Sequence, residues 1–186
     1  MKISIELATI IAAVVAAVVG LISARVQISI ELRKWPRARE DAIAVDLRRA
    51  IQEYATLMAS AVHSMCWLTW AATCGHEFID INRLMGYNQE QHGILPKISG
   101  SLSVIAALDK EAYEKLAPIA EELYGLDAKV GELTITFKAD GEKAIQKLAK
   151  LHSQVAPFER EVPRRIAGIV SRRVEERANL VSKRKE

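Results

Sequence analysis

The apolar positions along this chain follow two patterns, one continuous and one periodic. From Leu7 to Ala24 eighteen residues carry no charge, and Thr9 and Ser23 are the only polar side chains among them. At ~1.5 Å per residue this run is ~27 Å long as a helix, close to the hydrocarbon thickness of a bilayer. Because buried helices of soluble proteins seldom stay apolar on every side for this length, the run predicts one membrane-spanning helix.

Beyond Pro36 the apolar residues recur every three or four positions, which is typical of amphipathic helices. The clearest example is a helix predicted over residues 38–72, with an apolar face made of Ile43, Leu47, Ala50, Tyr54, Leu57, Ala61, Met65 and Leu68. We therefore expect an all-α fold, in which a single N-terminal transmembrane helix is followed by an up-and-down cytoplasmic helical bundle. The predicted divisions are a membrane anchor with its juxtamembrane helix (1–35), the bundle (36–163) and a basic amphipathic C-terminal helix (164–186).

Glycines, prolines and polar residues divide the bundle region into shorter predicted helices. Gly75 is predicted to end one helix and Asp109 to cap the start of another. The other predicted interruptions are a break or kink at Trp35-Pro36, a polar loop at Gly86–Gly93, a bend at Pro118, a stop at Gly125 and a new helix introduced by Pro157 and Pro163. Leu133–Phe137 has a β-prone composition that runs against the helical pattern.

Small residues recur every four positions in the apolar run. They are Ala8, Ala12, Ala16, Gly20 and Ala24. Such a ridge allows two helices to approach closely, so it predicts self-association of the spans. The alternative is that alanine is simply common in this run, since Ala13 and Ala17 lie off the ridge.

Charge is segregated along the chain. The net charge is +3 over residues 1–40, −5 over 41–163 and +5 over 164–186. The excess of basic residues after the span places the C-terminal body in the cytoplasm, with the N-terminus outside the inner (plasma) membrane. We expect contact with anionic lipid through Arg25, Arg33, Lys34, Trp35, Arg37, Arg172 and Arg173. The basic C-terminal helix has an alternative partner in the acidic middle of the chain, and its lack of aromatic residues argues against nucleic acid.

The segment "HSMCWLTWAATCGHE" is the richest in residues with chemical potential. His63 and Cys66 are one helical turn apart and could share a metal, but Cys74 lies two turns further on. The alternative is that Cys66 and the tryptophans fill the bundle core. We predict no metal site and no cofactor, and the two cysteines fit a reducing compartment.

The hexapeptide "KLAKLH" (Lys147–His152) resembles the motif of HEPN-type ribonucleases. These are helical bundles whose motif places an arginine and a polar residue ahead of a histidine, and small membrane-anchored members occur among CRISPR accessory proteins. The resemblance implies Lys147 and His152 as catalytic candidates. Lys147 and Leu148 depart from the arginine and the polar residue of the motif, which weighs against cleavage.

These patterns predict a membrane-anchored, oligomeric scaffold, sensor or regulator rather than an enzyme. Its expected partners are the bilayer, further copies of the chain and an unidentified protein. Two alternatives stay open: a membrane-perturbing or pore-forming effector of a bacterial defence or toxin system, and a membrane-tethered HEPN-like ribonuclease.

Overall fold

The computed structural model describes the backbone of residues 5–183 and the side chains of residues 38–75 and 77–172. Its elements are α1 (Ile5–Cys74), a short 3-10 helix (His76–Phe78), α2 (Ile81–Leu108), α3 (Lys110–Ala139) and α4 (Gly141–Lys183). The predicted all-α class is confirmed. The chain forms two compact units, Met1–Asp46 and Leu47–Glu186.

The second unit is an all-α four-helix up-and-down bundle. Its α3 makes close backbone approaches to both α2 and α4. Side chains join α1 to its neighbours: the Tyr54 hydroxyl donates to the Leu116 carbonyl at 3.0 Å, and the Gln91 amide donates to the Ala61 carbonyl at 3.1 Å. In the first unit, the described residues from Ala38 to Asp46 are largely exposed.

The core of the bundle is built from the apolar face that the sequence predicts for α1. Tyr54, Met65 and Leu68 are fully buried, and Leu47, Ala50 and Ala61 are also buried. The other helices meet this face with branched aliphatic side chains, among them Leu84, Ile98, Ile105, Leu116, Ile119, Leu123, Leu148 and Val155. Burial of these side chains is the main favourable term holding the four helices together.

Asp109 and Asp140 are each the single residue between two consecutive helices. The backbone N–H of Asp109 donates to the Ile105 carbonyl at 2.7 Å, and its carboxylate accepts from the Ala112 N–H at 3.1 Å. Asp140 repeats the arrangement at the α3–α4 turn, where its carboxylate accepts from the Lys143 N–H at 3.0 Å. One residue thus closes a helix and caps the next, which confirms the predicted cap at Asp109.

Most other predicted helix boundaries were wrong. The Gly86–Gly93 segment lies inside α2, α3 runs through Gly125 and the β-prone Leu133–Phe137, and α4 continues through Pro157 and Pro163. Likewise α1 does not end at Trp35-Pro36. The kink at Trp35-Pro36 and the bend at Pro118 stay predictions. Pro96, Pro118 and Pro163 lie on the exposed side of their helices, where water can solvate the carbonyl group that each proline leaves without its helical partner. Burial of the opposite face outweighs these local preferences. The expected end of α1 at Gly75, which has a φ of +146°, is confirmed.

Among the residues whose side chains are described, no helix is long and apolar enough to cross a membrane. The predicted span, Leu7–Ala24, lies outside that set. The same holds for the predicted packing ridge and most of the predicted lipid contacts, namely Ala8, Ala12, Ala16, Gly20, Ala24, Arg25, Arg33, Lys34, Trp35, Arg37 and Arg173.

Candidate functional site

The candidate site is the seam between α1 and α4, and Glu159 of α4 is at its centre. The Glu159 carboxylate lies 2.9 Å from Nδ1 of His63 on α1. The thiol of Cys66, one turn further along α1, donates a hydrogen bond to the same carboxylate. The i, i+3 spacing of His63 and Cys66 brings both side chains to one acceptor on the facing helix.

Two opposing influences act on the Glu159 carboxyl. Partial burial alone would raise its pKa, because burial disfavours the charged form. The hydrogen bonds from Cys66 and His63, together with the charges of His63 and His152, outweigh burial and hold the pKa below 4.5. Glu159 is therefore ionised at neutral pH and serves as a fixed negative charge in the seam.

The same arrangement makes Cys66 a poor nucleophile. Burial, followed by the hydrogen bond to Glu159 and its negative charge, raises the pKa of the Cys66 thiol from 9.0 to about 12. Catalytic cysteines need the opposite environment, with a positive charge or a helix N-terminus that stabilises the thiolate. The His63 ring pairs with Glu159, so the three side chains form a hydrogen-bonded cluster without an activated thiol.

A second polar contact joins α1 and α4 two turns away. The Thr69 hydroxyl donates to the carbonyls of Met65 and Cys66, both at 3.0 Å, and lies 3.1 Å from Nδ1 of His152. A hydroxyl has one hydrogen, so His152 must supply the proton in the Thr69–His152 contact when Thr69 donates to α1.

The cluster does not form a metal centre. Across the described residues, no group of three or more His, Cys, Asp or Glu side chains is arranged to hold a metal ion. His63 and Cys66, the predicted candidates, converge on Glu159 instead. Their side chains differ in environment, since His63 is 76% exposed and Cys66 is buried.

The HEPN-like hexapeptide lies within α4, and its side chains fall on different sides of that helix. Lys147 is exposed, whereas Leu148 is fully buried in the core. Positions five residues apart on a helix point ~140° from each other, so Lys147 lies on a different side of α4 from His152, which bonds to Thr69. Leu151 and Val155 are also buried, as the packing alternative predicts.

An apolar groove continues the seam toward the other end of the bundle. It has a volume of about 440 Å³, and its aliphatic walls include Ile51, Ala55 and Ala59 of α1 and Val162, Ile166 and Val170 of α4. Its polar lining residues are Arg48, Gln52 and Ser171. A second cavity of about 390 Å³ shares Ala59, Val162 and Pro163 with the groove and reaches the His63–Glu159 pair.

A third feature is a set of exposed large apolar side chains around the α1–α2 turn, called the aromatic corner below: Trp67 and Trp70 near the end of α1, Phe78 in the 3-10 helix and Met85 near the start of α2. These side chains are 46%, 51%, 43% and 58% exposed, respectively. Arg83 organises the corner, because its guanidinium lies 5.3 Å from the centroid of the Trp67 ring and donates to the Phe78 carbonyl at 2.5 Å.

The expectation that Trp67 and Trp70 fill the core was wrong. The core face of α1 passes through Met65, Leu68 and Ala72, and both tryptophans lie on the outer side of the helix, away from that face. A helical wheel extended from the predicted apolar face would have revealed this. Among the predicted lipid contacts, Arg172 is described and is exposed.

The fold and the seam define a class, an all-α four-helix up-and-down bundle with a hydrogen-bonded polar cluster between its first and last helices. Neither a protein-family model nor a curated protein nor a solved structure matches the chain.

The ionised Glu159 gives the bundle a pH-dependent stability. A carboxyl whose pKa is lower in the folded state stabilises the fold above its unfolded pKa, and this contribution is lost as the pH falls through the folded pKa. We therefore expect the difference in unfolding free energy between wild type and Glu159→Gln to shrink steadily as the pH falls below about 4.5. Denaturant unfolding at a series of pH values measures it.

The matched control for this prediction is Glu161→Gln, which alters an exposed carboxylate two residues along α4. Its difference from wild type should change little over the same pH range. Equal pH profiles for the two variants would contradict the assignment of Glu159 as the stabilising charge of the seam.

Proposed function

We propose that the protein is a single-pass, membrane-anchored helical bundle that acts as an oligomeric scaffold, sensor or regulator through protein contacts. The observation that carries this proposal is the aromatic corner of Trp67, Trp70, Phe78 and Met85. Large apolar side chains exposed together mark interaction surfaces, and tryptophan and arginine are the residues that most often dominate binding energy at protein interfaces.

The position of the corner supports a role in contact with another protein. It is formed by the turn between α1 and α2, at the end of the bundle opposite Leu47. Arg83 lies over the face of the Trp67 ring and donates to the Phe78 carbonyl, so Trp67 and the Phe78 backbone are held in place before any partner arrives. Pre-ordering lowers the entropy lost on binding. In the seam, by contrast, Cys66 stays a thiol and Glu159 is engaged by hydrogen bonds, which favours contact over catalysis.

The proposed membrane anchor and the proposed oligomer are supported by the sequence. The uncharged run Leu7–Ala24 has the length of a span, and the basic residues that follow it favour a cytoplasmic bundle at the inner membrane. The Ala/Gly ridge of that run supports association of several copies. The exposed Arg172 adds a contact of suitable charge for an anionic lipid surface.

Photo-crosslinking in cells tests the anchor and the contact surface together. A photoreactive phenylalanine analogue replaces Trp70 in one strain and Tyr113, an aromatic residue 37% exposed at the opposite end of the bundle, in a control strain. We expect the protein in carbonate-washed membranes, with a discrete crosslinked band from position 70 and none from position 113. The mass of the band separates a second copy of the chain from a different protein.

Two results would contradict the proposal. Recovery of the chain in the carbonate supernatant would contradict the anchor. Equal crosslinking from positions 70 and 113, or none from position 70, would contradict the aromatic corner as the contact surface.

The Ala/Gly ridge also favours a second candidate function, a membrane-perturbing effector whose spans assemble and disturb the bilayer. Expression would then depolarise the host membrane, and Ala16→Leu with Gly20→Leu would abolish the effect by separating the spans. An unchanged membrane potential on expression of the wild-type chain argues against this candidate.

A further inference from the structure

We infer that the apolar groove between α1 and α4 is a binding site for a long-chain fatty acid, with the carboxylate at Arg48 and the chain along the groove. This inference goes beyond the proposed function, because it assigns a small-molecule ligand to a surface other than the aromatic corner. It rests on the distribution of polar residues in the groove, the length of the groove and the absence of a carboxylate partner for Arg48 among the described residues.

The groove is polar at one end only. His63 pairs with Glu159, and Thr69 pairs with His152. Residue numbers therefore increase along α1 in the direction in which they decrease along α4. In this antiparallel register Arg48 and Gln52 of α1 lie across from Ser171 of α4. The walls beyond them, from Ala55 and Ala59 to Val162 and Ile166, are aliphatic. A ligand that matches this surface has a compact polar head and an unbranched apolar tail.

The charge of the polar end selects the head group. Among the described residues, no carboxylate forms an ion pair with Arg48, whereas Arg165 pairs with Glu122 at 2.6 Å. A guanidinium presents paired N–H donors that match the two oxygens of a carboxylate. Gln52 and Ser171 add neutral donors beside it. At the opposite end the second cavity reaches the ionised Glu159, which repels an acid and therefore sets the direction of the ligand.

The size of the groove selects the tail. From Arg48 to Ala59 the wall is eleven residues long, or ~16 Å along the helix. This matches the reach of one acyl chain, since a bilayer core of ~30 Å is two acyl chains thick. The volume of about 440 Å³ also falls within the ~300–1,000 Å³ typical of small-molecule sites. Alanines at positions 55, 59 and 167 keep the groove open, and Pro163 presents no N–H group to it.

The test is photolabelling of the full chain in phosphatidylcholine nanodiscs with a palmitate that carries a diazirine near its methyl end. Peptide mass spectrometry should locate the label around Ala59 and Val162. Unlabelled palmitate should compete for it. Laurate, which is four methylenes shorter, should compete more than 100-fold less well, at about fourfold per methylene. Hexadecanol, which lacks the carboxylate, should compete at least tenfold less well than palmitate.

Matched variants show whether the label reports this groove. Ala59→Trp fills the groove and should abolish labelling, whereas Ala128→Trp adds the same side chain at an exposed site on α3 and should not. Arg48→Glu should reduce labelling at least tenfold, and Arg49→Glu, at an exposed neighbour outside the lining, should leave it unchanged. Circular dichroism confirms that each variant is folded before its labelling is compared.

Three results would overturn the inference. One is a label spread evenly over the groove and the aromatic corner, which would indicate simple apolar partitioning. Another is a groove label that survives both Ala59→Trp and Arg48→Glu. The third is stronger competition by phosphatidylglycerol than by palmitate, which would identify a bilayer phospholipid as the occupant.

Discussion

Iodoacetamide at pH 8 should modify Cys74 at least 100-fold faster than Cys66 in the folded protein. Cys74 is exposed, whereas Cys66 is buried against α4 with its thiol donating to Glu159. With a pKa of about 12 rather than 9.0, Cys66 has a thiolate population roughly 1,000-fold smaller, and the thiolate is the reactive species. Mass spectrometry of tryptic peptides over a time course of alkylation gives both rates.

Unfolding and one substitution serve as controls for this prediction. In denaturant the two cysteines should react at similar rates, because both are then solvated. Burial is the main cause of the raised Cys66 pKa, and the Glu159 carboxylate adds to it, so Cys66 should react faster in Glu159→Gln while Cys74 is unaffected. Equal rates for the two cysteines in the native protein would contradict the packing of α1 against α4.

Adjacent substitutions in the HEPN-like hexapeptide should have very different effects on stability. Leu148→Ala removes a fully buried side chain from the core, so we expect a loss of ~2–5 kcal/mol of unfolding free energy. For a chain of this length that loss lowers the Tm by about 4–20 °C. Lys147→Ala changes an exposed side chain and should alter stability by no more than ~0.5 kcal/mol. Thermal and denaturant unfolding measure both effects.

This pair distinguishes a packing role of the hexapeptide from a catalytic role. If Lys147→Ala and His152→Ala abolish an RNA-cleaving activity of the purified protein while leaving it folded, the HEPN interpretation is supported despite the arrangement in α4. If RNA stays intact with the wild-type chain and only Leu148→Ala has a large effect, the segment serves the core.

The sequence predicted the helical class and the core face of α1 correctly because both depend on a long, regular apolar period. Tyr54, Met65 and Leu68 belong to that period, and all three are fully buried. Helix boundaries were less predictable, because they depend on a balance between local preference and tertiary packing. Gly125 and Pro118 disfavour a helix locally, yet they lie within α3, whose other face buries Leu116 and Leu123.

The candidate site was predicted only in part. The spacing of His63 and Cys66 correctly placed them on neighbouring turns of one helix, but Glu159 is about a hundred residues away and nothing in its local sequence marks it. Only the up-and-down topology brings it to α1. The Thr69–His152 contact and the groove were missed for the same reason. Each can be predicted only when the register between two helices far apart in the chain is known.

The one-residue connections at Asp109 and Asp140 restrict where this bundle can change. Asp109 and Asp140 each close one helix and cap the next, so a change of length at either turn would separate a cap from the helix that it caps. The turn from Gly75 to Asp80 is longer and includes a glycine with positive φ. Insertions and deletions should therefore be best tolerated at the Gly75–Asp80 turn, beside the aromatic corner. For the same reason α1 is the helix best able to shift against the other three.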